Sequence, residues 1–328
     1  MTLAPTSSSL AVMFDAGNKS ALVFTLHGFN DTQANRQAYF AVSLLLYSVT
    51  VLANLTVVVI VVAEKSLHEP MYVFLCNLCM NDIYGASSFY PKLLQSLLAD
   101  VQLISYAGCM MQLFAVHSYA FCEFTNLAVM AYDRYVAICL PLQYHLIMTP
   151  RRVGQLLLLT WSSTLLESAL GMVLTSQLPI CSLHISKILC TNWAVVKLSC
   201  SDTTANNIYG FLLMVVHTGQ ALLIAVSYAH IVQASRRSKA ERRKFFQTCL
   251  PHLTTLSVFT LSLVFDSLFS RYGDTAHLLV LNNLMAAEFL VVPTLVNPLV
   301  YGMNLQRIHT QVLRGLGGLG GHKERSLT

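Results

Sequence analysis

A chain of 328 residues that is 55% hydrophobic and only 11% charged cannot keep a whole folded surface wet, since soluble domains carry about 25% charged residues. That balance excludes an ordinary soluble enzyme or binding module and makes lipid the main solvent. The net charge of +5 follows from membrane topology, set out below, and implies no nucleic-acid partner.

The first segment, residues 1–36, is a short tail. Met1–Asn35 lacks a basic stretch followed by a continuous apolar core, so the first span is expected to serve as its own insertion signal. Asn18-Lys19-Ser20 and Asn30-Asp31-Thr32 are glycosylation sequons on this tail. Asn54-Leu55-Thr56 fits the triplet but lies inside a span, beyond the transferase's reach.

Four runs hold no Asp, Glu, Lys or Arg: Gln37–Ala63, Val101–Cys122, Thr203–Ser235 and Phe245–Phe265. Three more apolar stretches carry isolated charges: Met71–Leu98 (Asp82, Lys92), Val153–Ser176 (Glu167) and His277–Tyr301 (Glu288). Each meets the roughly 20 residues a helix needs to cross about 30 Å of hydrocarbon, and none has the short alternating pattern of barrel strands. The predicted fold is an all-α membrane protein, a seven-transmembrane helix bundle over residues 37–303. Leu305, Ile308, Val312 and Leu313 then recur at helical spacing, predicting a short amphipathic helix in a cytoplasmic tail over 304–328. The run Gly315–Gly321 breaks helical order.

With the N-terminus outside, 14 of the 20 Lys and Arg residues fall on the other side, including those of Arg236–Lys244. The positive-inside rule places that side in the cytosol; the expected localisation is the plasma membrane, multi-pass, with the N-terminus extracellular. Most connections are brief; Gln177–Asn206, on the outer side, is the long one. Of nine cysteines, Cys109, Cys181, Cys190 and Cys200 lie on that side, where disulfides are the expected state. Sequence alone allows three pairings. Cys76, Cys79, Cys122, Cys139 and Cys249 read as small apolar packing residues.

The inner end of span three reads Met130-Ala131-Tyr132-Asp133-Arg134-Tyr135-Val136-Ala137-Ile138-Cys139, followed by Pro141-Leu142-Gln143-Tyr144. Leu67-His68-Glu69-Pro70-Met71-Tyr72 enters span two, Ser227-Tyr228 lies late in span five, and Pro293-Thr294-Leu295-Val296-Asn297-Pro298-Leu299-Val300-Tyr301 closes span seven. Together these closely resemble the vertebrate olfactory receptors, a branch of the rhodopsin-like G-protein-coupled receptors. The resemblance covers roughly Asn54 to Tyr301. Ala53 stands where that family usually has Gly, and Pro251 where it has Ser before His252.

The resemblance implies a receptor rather than an enzyme. It would bind a small-molecule odorant and activate a heterotrimeric G protein of the olfactory Gs type, raising cAMP. The implied ligand residues are Val116, His117, Ala120 and Phe121 on span three, Leu212 and Val216 on span five, Leu263 and Ser267 on span six, and Ala287 and Val291 on span seven. His117 would either direct the ligand by a hydrogen bond or be satisfied between helices. Glu288 would pair with a neighbour or with a cationic ligand group. Asp133, Arg134, Tyr135, Tyr228, Asn297, Pro298 and Tyr301 match the coupling and switch residues, with Arg134 held by Asp133 at rest. The implied disulfides are Cys109–Cys190 and Cys181–Cys200.

A carboxylate at mid-bilayer costs on the order of 3 kcal/mol even on lenient scales, so Asp82 and Glu123 need partners. The resemblance groups them with Asn54 and Asn297 and implies a shared sodium ion; a shared proton would serve a similar purpose. No other cofactor is implied. Glu123 and Arg134 lie eleven residues apart, within about 20° on one helix face at roughly 100° per residue, and Val116 shares that face.

Other membrane classes fit less well. No lysine occurs between Lys244 and Lys323 to carry a retinal Schiff base, and no acid lies between Val101 and Cys122 for an amine receptor of the usual span-three kind. The internal repeats of a secondary transporter are missing, as is a His-Glu-x-x-His enzyme motif.

Overall fold

The computed structural model describes Lys19 and residues 22–26, 33–235, 253–265, 288 and 290–299. Its helices are α1 (Gln33–Ala63), α2 (Pro70–Leu98), α3 (Tyr106–Cys139), the short α4 (Tyr144–Ile147), α5 (Pro150–Ser176), the short α6 (Asn192–Val196) and α7 (Thr204–Ser235). They are followed by α8 (Leu253–Phe265) and α9 (Leu290–Leu299). The starts follow from local chemistry. Ser105 caps α3 by accepting from the Gly108 amide at 3.2 Å, and Thr149 caps α5 just before Pro150, a pairing that satisfies one orphan amide where proline has none.

Among the described residues, α1, α5 and α7 contain segments long and apolar enough to cross a membrane. Their outer faces are apolar yet open: Leu52, Leu158 and Leu223 are 63%, 71% and 69% exposed. A water-facing protein seldom shows so continuous an apolar surface; lipid is its natural solvent. The helix α3, 34 residues long, is about 50 Å from end to end and more buried, packing against α2, α5 and α7. One core cluster joins Phe74, Leu75 and Leu78 of α2 to Leu127 and Met130 of α3. A second gathers Phe89, Tyr90, Tyr119, Phe124 and Phe259. There α2 approaches so closely that a Cβ at Gly85 would lie 2.6 Å from ring carbons of Tyr119.

Part of the tail departs from the all-α expectation. Val23–Leu26 forms β1, pairing antiparallel with β2 (Leu103–Ser105) and parallel with β3 (His184–Ile185), in the order β2-β1-β3. Phe24 is fully buried beneath this sheet, and Lys19 Nζ donates to the carbonyls of Ser176 and Leu178 at 2.6 and 3.1 Å. Strands of two to four residues with partners far along the chain leave no period-2 signature to read.

Candidate functional site

Two disulfides organise the end of the bundle that carries the sheet. Cys109 of α3 is joined to Cys190, and Cys181 to Cys200, with Cα separations of 5.4 and 5.7 Å. Gln112 adds a second tie, since its Oε1 accepts from the Cys190 amide at 2.9 Å. The residues just after Cys190 are thereby held over the interior.

Beneath them lies a cavity of about 160 Å³. Leu113, Val116, His117, Ala120 and Phe121 form its α3 wall, Glu167, Ser168 and Gly171 its α5 wall. From α7 come Tyr209, Gly210, Leu213, Met214 and His217; Thr191, Asn192 and Trp193 roof it, and Leu263 of α8 closes one side. At roughly 15 Å³ per water-sized occupant, this volume admits on the order of ten heavy atoms. Both cavity histidines are fixed by their own helices: His117 Nδ1 lies 2.9 Å from the Leu113 carbonyl, and His217 Nδ1 2.8 Å from that of Leu213. A carbonyl only accepts, so the proton sits on Nδ1 in each. The His217 ring lies 4.6 Å from that of Phe121, and its Nε2 is 3.8 Å from Glu167 Oε2.

Towards the middle of the bundle Asp82 and Glu123 are fully buried. The Asn297 amide joins them, donating to both Asp82 oxygens at 3.1 and 3.0 Å and to Glu123 Oε1 at 2.8 Å. Asn81 donates to Glu123 Oε2 at 3.0 Å. Asn54, expected to join this group, is fully buried and donates instead to the carbonyls of Thr50 and Thr294, both at 2.9 Å. The side-chain oxygens of Asn54, Asn81 and Asn297 are buried without a hydrogen-bond partner among the described residues. An all-oxygen donor set with two carboxylates suits a hard cation.

At the far end of α3, Asp133 is buried and accepts from Arg134 Nε at 2.9 Å and also from Arg134 Nη2. Its other oxygen accepts from the Tyr144 hydroxyl at 2.8 Å. Burial, followed by the Asp133 carboxylate, pushes the Tyr144 hydroxyl well above the usual phenol range, so it stays a donor at physiological pH. Tyr228 is buried with Ala131, Ile224 and Ile231 against this end of α3, and the Tyr135 ring meets His230 edge-on at 6.1 Å.

The sequence pattern of the family described as "Olfactory receptor" matches residues 43–317. Human olfactory receptor 11A1 is 37% identical over 91% of this chain and 94% of its own length. Human olfactory receptor 2G3 is 34% identical over 92% and 98%, and rat olfactory receptor 1468 is 34% identical over 89% and 94%. The chain belongs to the olfactory receptor family.

As an olfactory receptor it is a G-protein-coupled receptor and not an enzyme. Of the ligand residues expected from its sequence, Val116, His117, Ala120, Phe121 and Leu263 all line the cavity. Leu212 and Val216 do not: they are 57% and 41% exposed on the outer face of α7, and the cavity wall is built one residue further on, by Leu213 and His217. One residue turns a helix by about 100°, enough to exchange the inner face for the outer. Val291 packs against the Phe89–Phe259 cluster. Pro298 is buried in α9. Asn18, Asn30, Ser267, Ala287, Tyr301 and the amphipathic helix of the tail lie outside the described residues. Glu288 receives a hydrogen bond from Ser262 at 2.7 Å.

The α5 wall and the loop roof of this receptor were missed in the sequence. Glu167 was visible there only as an isolated charge; Ser168 and Gly171 lie on the buried stripe Thr160, Thr164, Ser168, Gly171 and Thr175, whose helical spacing was the available signal. Asn81 gave no warning beyond its place beside Asp82.

Proposed function

We propose that this olfactory receptor binds a small, mostly apolar odorant in the cavity between α3, α5 and α7 and activates a heterotrimeric G protein of the olfactory Gs type, raising cAMP. One observation carries the reading. A single helix, α3, walls the cavity with Val116, holds the buried polar cluster through Glu123 and ends in the Asp133–Arg134 pair. A ligand that favours a rotated or shifted α3 would therefore bias the ion pair. Freed from Asp133, Arg134 would meet the G protein as α8 swings outward, with Tyr135, Tyr228, Asn297, Pro298 and Tyr301 rearranging around it.

The same reading threads the chain seven times through the plasma membrane, tail outward. The two disulfides support this, because they require an oxidising side. Asn18 and Asn30 are then open to glycosylation, and residues 304–328 lie in the cytosol. Asp82 and Glu123, with the Asn297 and Asn81 oxygens nearby, would hold one sodium ion, whose charge offsets their burial. The deciding experiment is an odorant panel on cells co-expressing the olfactory G protein, with Arg134→Ala alongside. The expected result is a ligand-dependent cAMP rise that the variant loses while reaching the surface normally. Full signalling by Arg134→Ala, or substrate uptake without cAMP, rejects the proposal.

A further inference from the structure

We propose that the cavity is selective for ligands carrying a primary ammonium group, with the Glu167 carboxylate as counter-ion and His217 Nε2 as a second acceptor. The inference deepens the odorant-binding reading and rests on the cavity being the ligand site.

The geometry is specific. His217 is 92% buried by side-chain area, and its proton is committed at Nδ1 to the Leu213 carbonyl at 2.8 Å. A neutral ring then presents a lone pair at Nε2, which has no hydrogen-bond partner among the described residues. Facing it at 3.8 Å is Glu167 Oε2, too far for a direct hydrogen bond and itself an acceptor when ionised. Two acceptors at that spacing can both reach one nitrogen at about 2.8 Å, and a group with several hydrogens satisfies both at once.

Charge selects further. Among the described residues lining the cavity none is Lys or Arg, so Glu167 has no cation of the protein's own there. A partly buried carboxylate without a counter-charge is costly, and an ammonium head supplies that charge. Phe121, Trp193 and Tyr209 line the same space, and aromatic side chains are favourable company for a cation. Leu113, Val116, Met214 and Leu263 supply an apolar wall for a hydrocarbon tail. An alcohol of the same skeleton fills one acceptor only, an aldehyde neither, and a carboxylate is repelled. The acid that α3 lacks in its cavity half is thus provided across the cavity by α5.

The test compares hexylamine, hexanol, hexanal and hexanoic acid, with phenethylamine and phenethyl alcohol as a bulkier pair. Full-length purified receptor is assayed for ligand-induced thermal stabilisation, and cells for cAMP. The amines are expected to half-saturate at concentrations at least about tenfold below the matching alcohols. Glu167→Gln should weaken the amines by about ten- to a hundredfold while moving the alcohols little. His217→Gln, which keeps an acceptor, should retain more of the amine preference than His217→Leu. Amines that bind no better than alcohols overturn the inference, as does a Glu167→Gln variant that lowers unliganded stability but leaves the ligand ranking intact. Alcohols or aldehydes that signal where amines do not would sink it and leave the odorant reading standing. Amines that stabilise the receptor without any cAMP response would uphold it and reject the proposed coupling. Failure of all six compounds to bind rejects it.

Discussion

Replacing Tyr144 by Phe removes one atom and one hydrogen bond, the 2.8 Å contact from its hydroxyl to Asp133 Oδ1. Asp133 is fully buried, and a hydrogen bond to a charged group contributes about 1.5–3 kcal/mol. Tyr144 itself is only half-buried, so the lower end applies. If the resting state holds Asp133 with both Arg134 and Tyr144, and the active state releases both contacts, the variant removes about 1.5 kcal/mol of support from the resting state alone. A resting-to-active ratio of about 100 to 1 would then fall roughly tenfold, taking the active fraction from about 1% to nearly 10%. Ligand-free cAMP, normalised to surface receptor, measures this directly. Asp133→Asn, which weakens the Arg134 ion pair itself, should raise the basal signal further. A Tyr144→Phe receptor whose ligand-free signal matches the parent's, or falls below it, refutes the locking role of the pair.

Two further substitutions probe the packing. Asn297→Ala strips the donor shared by Asp82 and Glu123; at about 1–3 kcal/mol for each buried acceptor left unpaired, the thermal midpoint of detergent-purified receptor should drop clearly. An unchanged midpoint would show that Asn297 does not bridge them. Gly85→Val places carbon against the Tyr119 ring, and overpacking of this kind costs about 1–3 kcal/mol. Surface expression and midpoint should both fall and be partly restored by Tyr119→Leu in the same chain; equal defects in single and double variants would argue against the clash.

Residue chemistry alone determined the solvent and the repeating unit of this protein. Uncharged runs such as Gln37–Ala63 and Thr203–Ser235 lie almost wholly within α1 and α7, because a backbone in hydrocarbon must bond within its own segment. That Asp82 and Glu123 need partners was likewise legible, since a buried charge is costly alone; that Asn297 would join them and Arg134 would pair with Asp133 was implied by the resemblance to olfactory receptors. Which face of α7 looks inward was not legible. In lipid the exterior is as apolar as the core, so Leu212 and Leu213 are indistinguishable in sequence, and only packing of α7 against α3 and α5 sent Leu213 to the cavity and Leu212 outward. The same holds for Glu167 meeting His217 and for β1 seating itself between β2 and β3. These contacts join segments far apart along the chain, and no local periodicity encodes them.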